Sequence, residues 1–237
     1  MSVPVTDIHM HVVPGVDDGS RDIDESCGML RLAVGQGVDA VFATPHDSAF
    51  SDKNRVRESF GRLKEAVRAL GLPVALYLGC EMRVYPETAE LCLRKLNDGV
   101  LPTMGDSRCV LTEFDFANSS RDYLFCADTL IKGGYIPIIA HVERYPNTDV
   151  RLAGKLKDAG ALIQINAYSI AGEKDARIRR TANMLLEARL VDFIGTDAHG
   201  AVRRPPDLGG GMDAFRRLYG EEYAKLVAFD NPRKYLL

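Results

Sequence analysis

The sequence has 237 residues and only five histidines, at positions 9, 11, 46, 141 and 199, each following or ending a short apolar run. Carboxylates accompany them. Asp17 and Asp18 come soon after His9 and His11, Glu81 and Glu113 follow or close two other apolar runs, and Asp197 stands just before His199. A lone histidine is more often a surface or hydrogen-bonded core residue. A lone strand-end carboxylate is more often a helix N-cap, a role that suits Asp18 and Asp197. Five histidines out of five at strand ends is harder to reach by accident. Glu81 and Glu113 suit capping less well, because each lies against an apolar strand and needs a partner to tolerate burial. Imidazole mixed with carboxylate, with no thiolate required, favours divalent Mn2+, Fe2+ or Zn2+. The donors outnumber the needs of one ion, so two or three ions sharing a bridging carboxylate are expected. Clustered ions suit phosphoester hydrolysis, because they generate hydroxide at neutral pH and clamp the attacking and leaving oxygens.

The elements that must gather these donors are legible as alternating strands and helices. Strands are expected over residues 3–8, 38–44, 74–79, 109–114, 135–140, 161–166 and 191–196. Helices are expected over 21–35, 53–70, 86–96, 121–132, 150–158 and 177–188, with a helical tail from residue 210. The first helix places Ile23, Cys27, Leu30 and Val34 on one face, with Ser20 or Asp22 as its cap. The strands are short, β-branched and apolar on both faces, as parallel strands covered by helices are. Seven strand–helix repeats predict a distorted (β/α)7 barrel, one domain over 1–237, with an open doubly wound sheet as the alternative. In a parallel barrel the carboxyl ends of the strands share one face, and all the donors fall there.

Composition narrows the partners. Apolar residues make up 46% and charged residues 27%, with a net charge of −3 and no long Lys/Arg block, so general nucleic-acid binding is not expected. No apolar stretch is long enough to span a bilayer, and the N-terminus lacks the basic and apolar regions of a leader, so no membrane insertion and a cytoplasmic location are expected. The five cysteines are odd in number and form no CxxC pair, which suits buried, reduced thiols. A homo-oligomer is compatible with the sequence.

Rival chemistries fare less well. A cysteine-nucleophile phosphatase needs an arginine six residues after its thiolate, but those positions hold Ala33, Pro86, Asp98, Asp115 and Lys132. Metal-dependent C–N hydrolases usually carry a carboxylated lysine on a barrel strand, and no expected strand offers an inward lysine. A non-catalytic scaffold would be expected to have lost donors, yet every donor position is filled.

The string Asp7-Ile8-His9-Met10-His11 resembles the first motif of the PHP (polymerase and histidinol phosphatase) superfamily. Extended through Pro14-Gly15-Val16-Asp17-Asp18-Gly19-Ser20, it is similar to the bacterial tyrosine-phosphatase branch of CpsB/YwqE type. The likeness continues through ATPH at 43–46, GCE at 79–81, TEF at 112–114, AHVERY at 140–145, QIN at 164–166, TDAH at 196–199, RPP at 204–206 and DNP at 230–232. Several multi-residue motifs in order along the chain are far more specific than one HxH.

The resemblance implies three metal positions. The first would use His9, His11, Glu81 and Asp197; the second Glu81, Glu113 and His141, with Glu81 as bridge; the third Asp18, His46 and His199. Mn2+ is the leading expectation. Arg144 and Arg204 would hold the substrate phosphate, and Asp197 or His199 would supply a proton. The implied substrate is the phosphotyrosine tail of a bacterial tyrosine kinase that controls capsule or exopolysaccharide export, with a histidinol-phosphate type of small molecule as the alternative. Met10 and Asp47 depart from the usual pattern without removing a donor, and Arg203 competes with Arg204 for the phosphate role. Residues 47–53 and 168–175 carry no placeable motif and are expected to shape substrate choice.

Overall fold

The computed structural model describes residues 4–237. Residues 1–3, which hold the start of the first expected strand and of the N-terminal reading, lie outside the described residues. Strand β1 (Val5–Met10) leads into helix α1 (Ile23–Gly35), then β2 (Val38–Ala43), α2 (Lys53–Ala69) and β3 (Ala75–Leu78). The chain continues through β4 (Glu81–Val84), α3 (Ala89–Asn97), β5 (Cys109–Phe114), α4 (Ser120–Lys132), β6 (Ile136–Ile139) and α5 (Val150–Ala159). It ends with β7 (Leu162–Asn166), the one-turn α6 (Tyr168–Ala171), α7 (Ala176–Glu187), β8 (Phe193–Gly195), α8 (Gly209–Tyr219), α9 (Glu221–Lys225) and α10 (Asn231–Tyr235). Side-chain caps start several helices: Asp22 accepts from the Glu25 amide, and Ser119 and Asp122 form a reciprocal box on α4. Of the two expected caps for α1, Asp22 takes the role, while Ser20 bonds Ser26 instead.

All the strand pairs are parallel, in two sheets ordered β1-β2-β3 and β4-β5-β6-β7-β8. The third expected strand is broken. Gly79 and Cys80 interrupt it, so that β3 pairs with β2 while β4 pairs with β5. Gly79 permits the break: a Cβ there would lie 2.7 Å from Met104 Sδ and 3.2 Å from Thr44 Cγ2. Counting the broken strand once, seven strand–helix units remain, as the sequence implies. Helix α3 starts at Ala89 rather than Pro86, because Tyr85 and Thr88 close a turn first.

Two seams join the sheets, and neither is a continuous ladder. At one, Glu81 N donates to Pro45 O (3.0 Å) beside a lone His46–Glu81 bridge. At the other, Asp197 N donates to His9 O (2.7 Å) and His11 N to Ala198 O (2.9 Å). The distorted barrel is therefore held together at the carboxyl ends of its strands without closing along its length. Ile8, Phe42, Leu111, Ile138 and Phe193 fill the interior below this rim, with Leu236 from the tail packed among them. A larger apolar layer, including Met29, Leu63, Val110, Ile139 and Phe215, lies outside this cluster. Among the described residues no helix is long and apolar enough to cross a membrane.

The β1–β8 seam tolerates no extra atom at Gly195, where a Cβ would lie 2.8 Å from His9 Cβ and 3.2 Å from His9 N. Gly195→Ala is expected to destabilise the fold by about 1–3 kcal/mol, read as a lowered midpoint in urea unfolding.

Candidate metal centre

Glu81 opens β4 directly after the strand break and is only 2% exposed. Each of its oxygens faces two imidazoles. Oε1 lies 2.9 Å from His141 Nε2 and 3.5 Å from His9 Nε2. Oε2 lies 3.0 Å from His46 Nδ1 and 3.2 Å from His11 Nε2. Burial alone would raise this carboxyl's pKa, but the charge of His9 and the hydrogen bonds of His11, His141 and His46 hold it well below the ordinary range.

Two other carboxylates flank the histidines, and each divides its oxygens. Asp197 places Oδ1 3.5 Å from His9 Nε2, 3.7 Å from His11 Nε2 and 3.6 Å from His199 Nδ1. Its Oδ2 accepts from Arg204 Nη2 (2.6 Å), Asn166 Nδ2 (3.2 Å) and Arg144 Nη1 (3.2 Å). Glu113 places Oε1 3.6 Å from His141 Nε2, while Arg83, opposite it in register on β4, donates Nε to Oε2 at 2.6 Å. Asp18, on the loop after β1, reaches His46 Nε2 at 3.3 Å and His199 Nε2 at 3.7 Å. Neither Asp18 nor Asp197 caps a helix, so the simpler role available to them in the sequence is not the one they take.

The imidazoles are oriented from behind. His11 Nδ1 faces Asp17 Oδ2 at 2.8 Å, His9 Nδ1 faces Gln164 Oε1 at 3.3 Å, and His199 Nδ1 faces the Asp197 carbonyl at 2.9 Å. Such outer acceptors fix the tautomer and leave Nε2 free for an ion. Gln164 Oε1 also accepts from the His141 amide at 2.7 Å, and Asp17 Oδ2 from the His46 amide at 3.0 Å. Beneath them Asp7 accepts from the His9 amide (3.1 Å) and from Thr196 N (3.0 Å) and Oγ1 (2.6 Å) across the seam. Burial pushes the Asp7 carboxyl up to about 6.

The donor set fits divalent cations. His9 Nε2 and His11 Nε2 point at one another across 3.3 Å with carboxylate oxygens around them, and the buried His141 Nδ1 has no hydrogen-bond partner. Three groups bring ligand atoms within 4.8 Å of one another: His11, Asp18, His46 and His199; His9, His11 and Asp197; and His46, Glu81 and Glu113. These groups hold eight of the nine expected donors, and His141 joins them through Glu81 Oε1 at 2.9 Å. Arg144 and Arg204 meet at Asp197, and of the two neighbouring exposed arginines it is Arg204, not Arg203, that bonds this carboxylate. Arg144 also lies over the Phe116 ring at 5.3 Å, and Arg177 Nη2 braces its carbonyl at 2.9 Å.

The backbone is strained here. His141, Asp197 and Arg204 have φ of 31°, 54° and 55°, in the left-handed region that side chains other than glycine seldom adopt. Sequence reasoning did not assign Arg83, Asp17, Gln164, Asn166 or Asp7 a role. Asp17, Asp7 and the Gln164–Asn166 pair stand inside recognisable motifs. Arg83 had no signal, because its role exists only through register with Glu113.

A parallel α/β barrel with histidines and carboxylates gathered at the carboxyl ends of its strands belongs to the metal-dependent hydrolase class of barrels. The family model for capsular polysaccharide synthesis, CpsB/CapC, matches residues 5–237. The chain belongs to that family. It is 31% identical to tyrosine-protein phosphatase CpsB of Streptococcus pneumoniae, over 98% of each chain. It is 35% identical to tyrosine-protein phosphatase YwqE of Bacillus subtilis, over 84% of this chain and 78% of the relative. Its structure is similar to one reported with YwqE and CpsB as unique metal-dependent tyrosine phosphatases, with a TM-score of 0.79, 30% identity, and coverage of 92% of this chain and 89% of the other. A phosphotriesterase homology protein from Escherichia coli shares the fold at a TM-score of 0.62 and 13% identity, over 99% of each chain.

Protonation gives this centre a pH signature once metal is removed. Burial would depress His11, but Asp17 and Glu81 raise it to about 10; its stabilising effect is whole below the unfolded histidine value of about 6.5 and is lost as pH climbs through 10. His199 works the other way: burial and His11 lower it to about 4, so its effect fades as pH falls below about 6.5. Glu81 and Asp197, both held low, add to the loss on acidification. The chelator-stripped protein is expected to melt highest near pH 6.5 and lower at pH 9. Added Mn2+ should reverse the alkaline loss, because cations replace protons on the same nitrogens. A flat melting temperature from pH 6 to 9 in stripped protein would contradict this account.

Proposed function

We propose that this chain is a metal-dependent protein-tyrosine phosphatase, and that His9, His11, Asp18, His46, Glu81, Glu113, His141, Asp197 and His199 hold two or three divalent ions, Mn2+ foremost. The observation that carries the reading is the Asp197 carboxylate, which serves histidines through one oxygen and two arginines through the other. It couples a cation site to a pair of planar forks suited to phosphate. Bound ions would supply Lewis acidity and a nucleophile made from water.

The chain's own residues do the rest. Arg144 and Arg204 grip the equatorial phosphoryl oxygens, and Asp197 keeps both guanidinium groups aimed before substrate arrives. Asp197 or His199 would pass a proton to the leaving group; without bound ions Asp197 is held low and His199 is lowered to about 4. The leaving group departs as tyrosine phenolate, whose pKa of about 10 makes it a far better leaving group than an alkoxide. No cysteine competes as nucleophile: all five are buried, and burial pushes the Cys80 thiol well up. The CpsB/CapC kinship supports a phosphoprotein substrate in capsule or exopolysaccharide synthesis. The tyrosine-rich tail of a bacterial tyrosine kinase, met in the cytoplasm, is the specific form proposed.

Chelation should abolish hydrolysis of a phosphotyrosine peptide and Mn2+ should restore it, while thiol alkylation leaves it intact. His9→Ala should lose both metal and turnover. Arg144→Ala should keep its metal, measured by elemental analysis, and lose about a hundredfold in kcat/KM. Activity that survives chelation but dies on alkylation would sink the reading.

A further inference from the structure

A cleft of about 530 Å3 opens beside Asp197 on the side of Arg144 and Arg204. It is lined by those arginines, by Asn166 and Asp197, by the carboxylates Glu173 and Asp207 and, among its less polar residues, by Tyr168, Ile178 and Pro205. A concave cleft that combines apolar surface with convergent polar groups is the usual form of a small-ligand site, and this volume lies within the usual range. A phosphate held by Arg144 and Arg204 would lie at their side of the cleft, next to the Asp197 carboxylate. Whatever hangs from its ester oxygen then lies along the cleft.

Tyr168 is placed for that group. It is 40% exposed although it borders a buried centre. The segment that carries it is fixed from both sides. Ser169 Oγ donates to Glu143 Oε1 at 2.7 Å, and the Asn166 amide donates to the same oxygen at 3.0 Å. The ring itself lies flush on Gly172, where a Cβ would stand 2.5 Å from Tyr168 Cε2 and 2.6 Å from Cδ2. Gly172 has an ordinary helical φ of −84°, so its missing side chain makes room for the ring and relieves no backbone strain. Tyr168 makes none of the hydrogen bonds that organise the donors, which leaves its ring face without a role in the centre itself.

Resting on the phosphatase reading above, we propose that this cleft seats the aromatic ring of an aryl phosphomonoester. Tyr168, positioned by Gly172, is then the residue that makes the site prefer aryl over alkyl esters. A flat apolar wall rewards a ring through stacking and area, and rewards the short side chain of phosphoserine hardly at all. It also explains a use for the stretch 168–175, which matches no motif.

The test compares kcat/KM on phosphotyrosine and phosphoserine versions of one peptide, for Mn2+-loaded wild type, Tyr168→Ala, Tyr168→Phe and Gly172→Ala. The aryl-to-alkyl ratio should fall about tenfold in Tyr168→Ala, mainly through KM, and recover in Tyr168→Phe. Gly172→Ala, which displaces the ring without removing it, should fall between. Calorimetry with benzylphosphonate and methylphosphonate reads the same subsite without turnover: wild type should prefer the benzyl compound about tenfold, and Tyr168→Ala should lose that preference. An unchanged ratio in Tyr168→Ala, or a Phe variant as poor as Ala, overturns the proposal while leaving the phosphatase reading intact. A wild type that hydrolyses neither peptide yet prefers benzylphosphonate refutes the phosphatase reading and keeps the aryl subsite. Equal affinity for the two phosphonates refutes the subsite in either case.

Discussion

Glu81 is a carboxylate almost wholly out of water, and the architecture around it answers the electrostatic problem it creates. An unpaired ion at that depth would destabilise the fold by several kcal/mol. Four of the five histidines converge on it, two to each oxygen. The main chain makes room by breaking its third strand at Gly79 and Cys80, so that Glu81 begins a new strand in the other sheet. The break also forms one of the two seams of the barrel, where the Glu81 amide bonds Pro45 next to His46. The ladder lost there is exchanged for a charged group at the middle of the rim.

Charge is balanced around that middle by a repeated device. Asp197 and Glu113 each give one oxygen to the imidazoles and the other to arginine, from opposite sides of the pocket. An arginine held this way is neutralised and pre-aimed at once, since its planar fork loses little freedom on taking a second partner. The two sides nevertheless differ in use. Arg144 and Arg204 border the cleft with the aromatic wall, whereas Arg83 borders a separate hollow with His46, Asp18 and Lys95.

Much of this was legible in the sequence because strand ends are legible. Apolar runs of five or six residues give the end of a strand to within a residue or two, and in a parallel barrel all such ends share a face. His9, His46, Glu113, His141 and Asp197 could therefore be grouped without any distance being known. What escaped depends on pairing between distant segments. The four residues from Glu81 to Val84 are too short and too polar to declare a strand, so Arg83 was invisible as the neighbour of Glu113. Gln164 and Asp17 sat in motifs, but nothing local says that one side chain would serve two histidines. The seam bonds between Asp7 and Thr196 join residues 189 apart in sequence, a separation no periodicity reports.

The left-handed turns at His141, Asp197 and Arg204 bear on how this protein can evolve. At each of them glycine would sit more comfortably, and the relief would be of order 1 kcal/mol per position. Selection for sturdiness alone would therefore wear away the residues around the central carboxylate first. Their strained presence beside the central carboxylate is a trade of durability for chemistry, and stabilising this scaffold for practical use should start far from the rim.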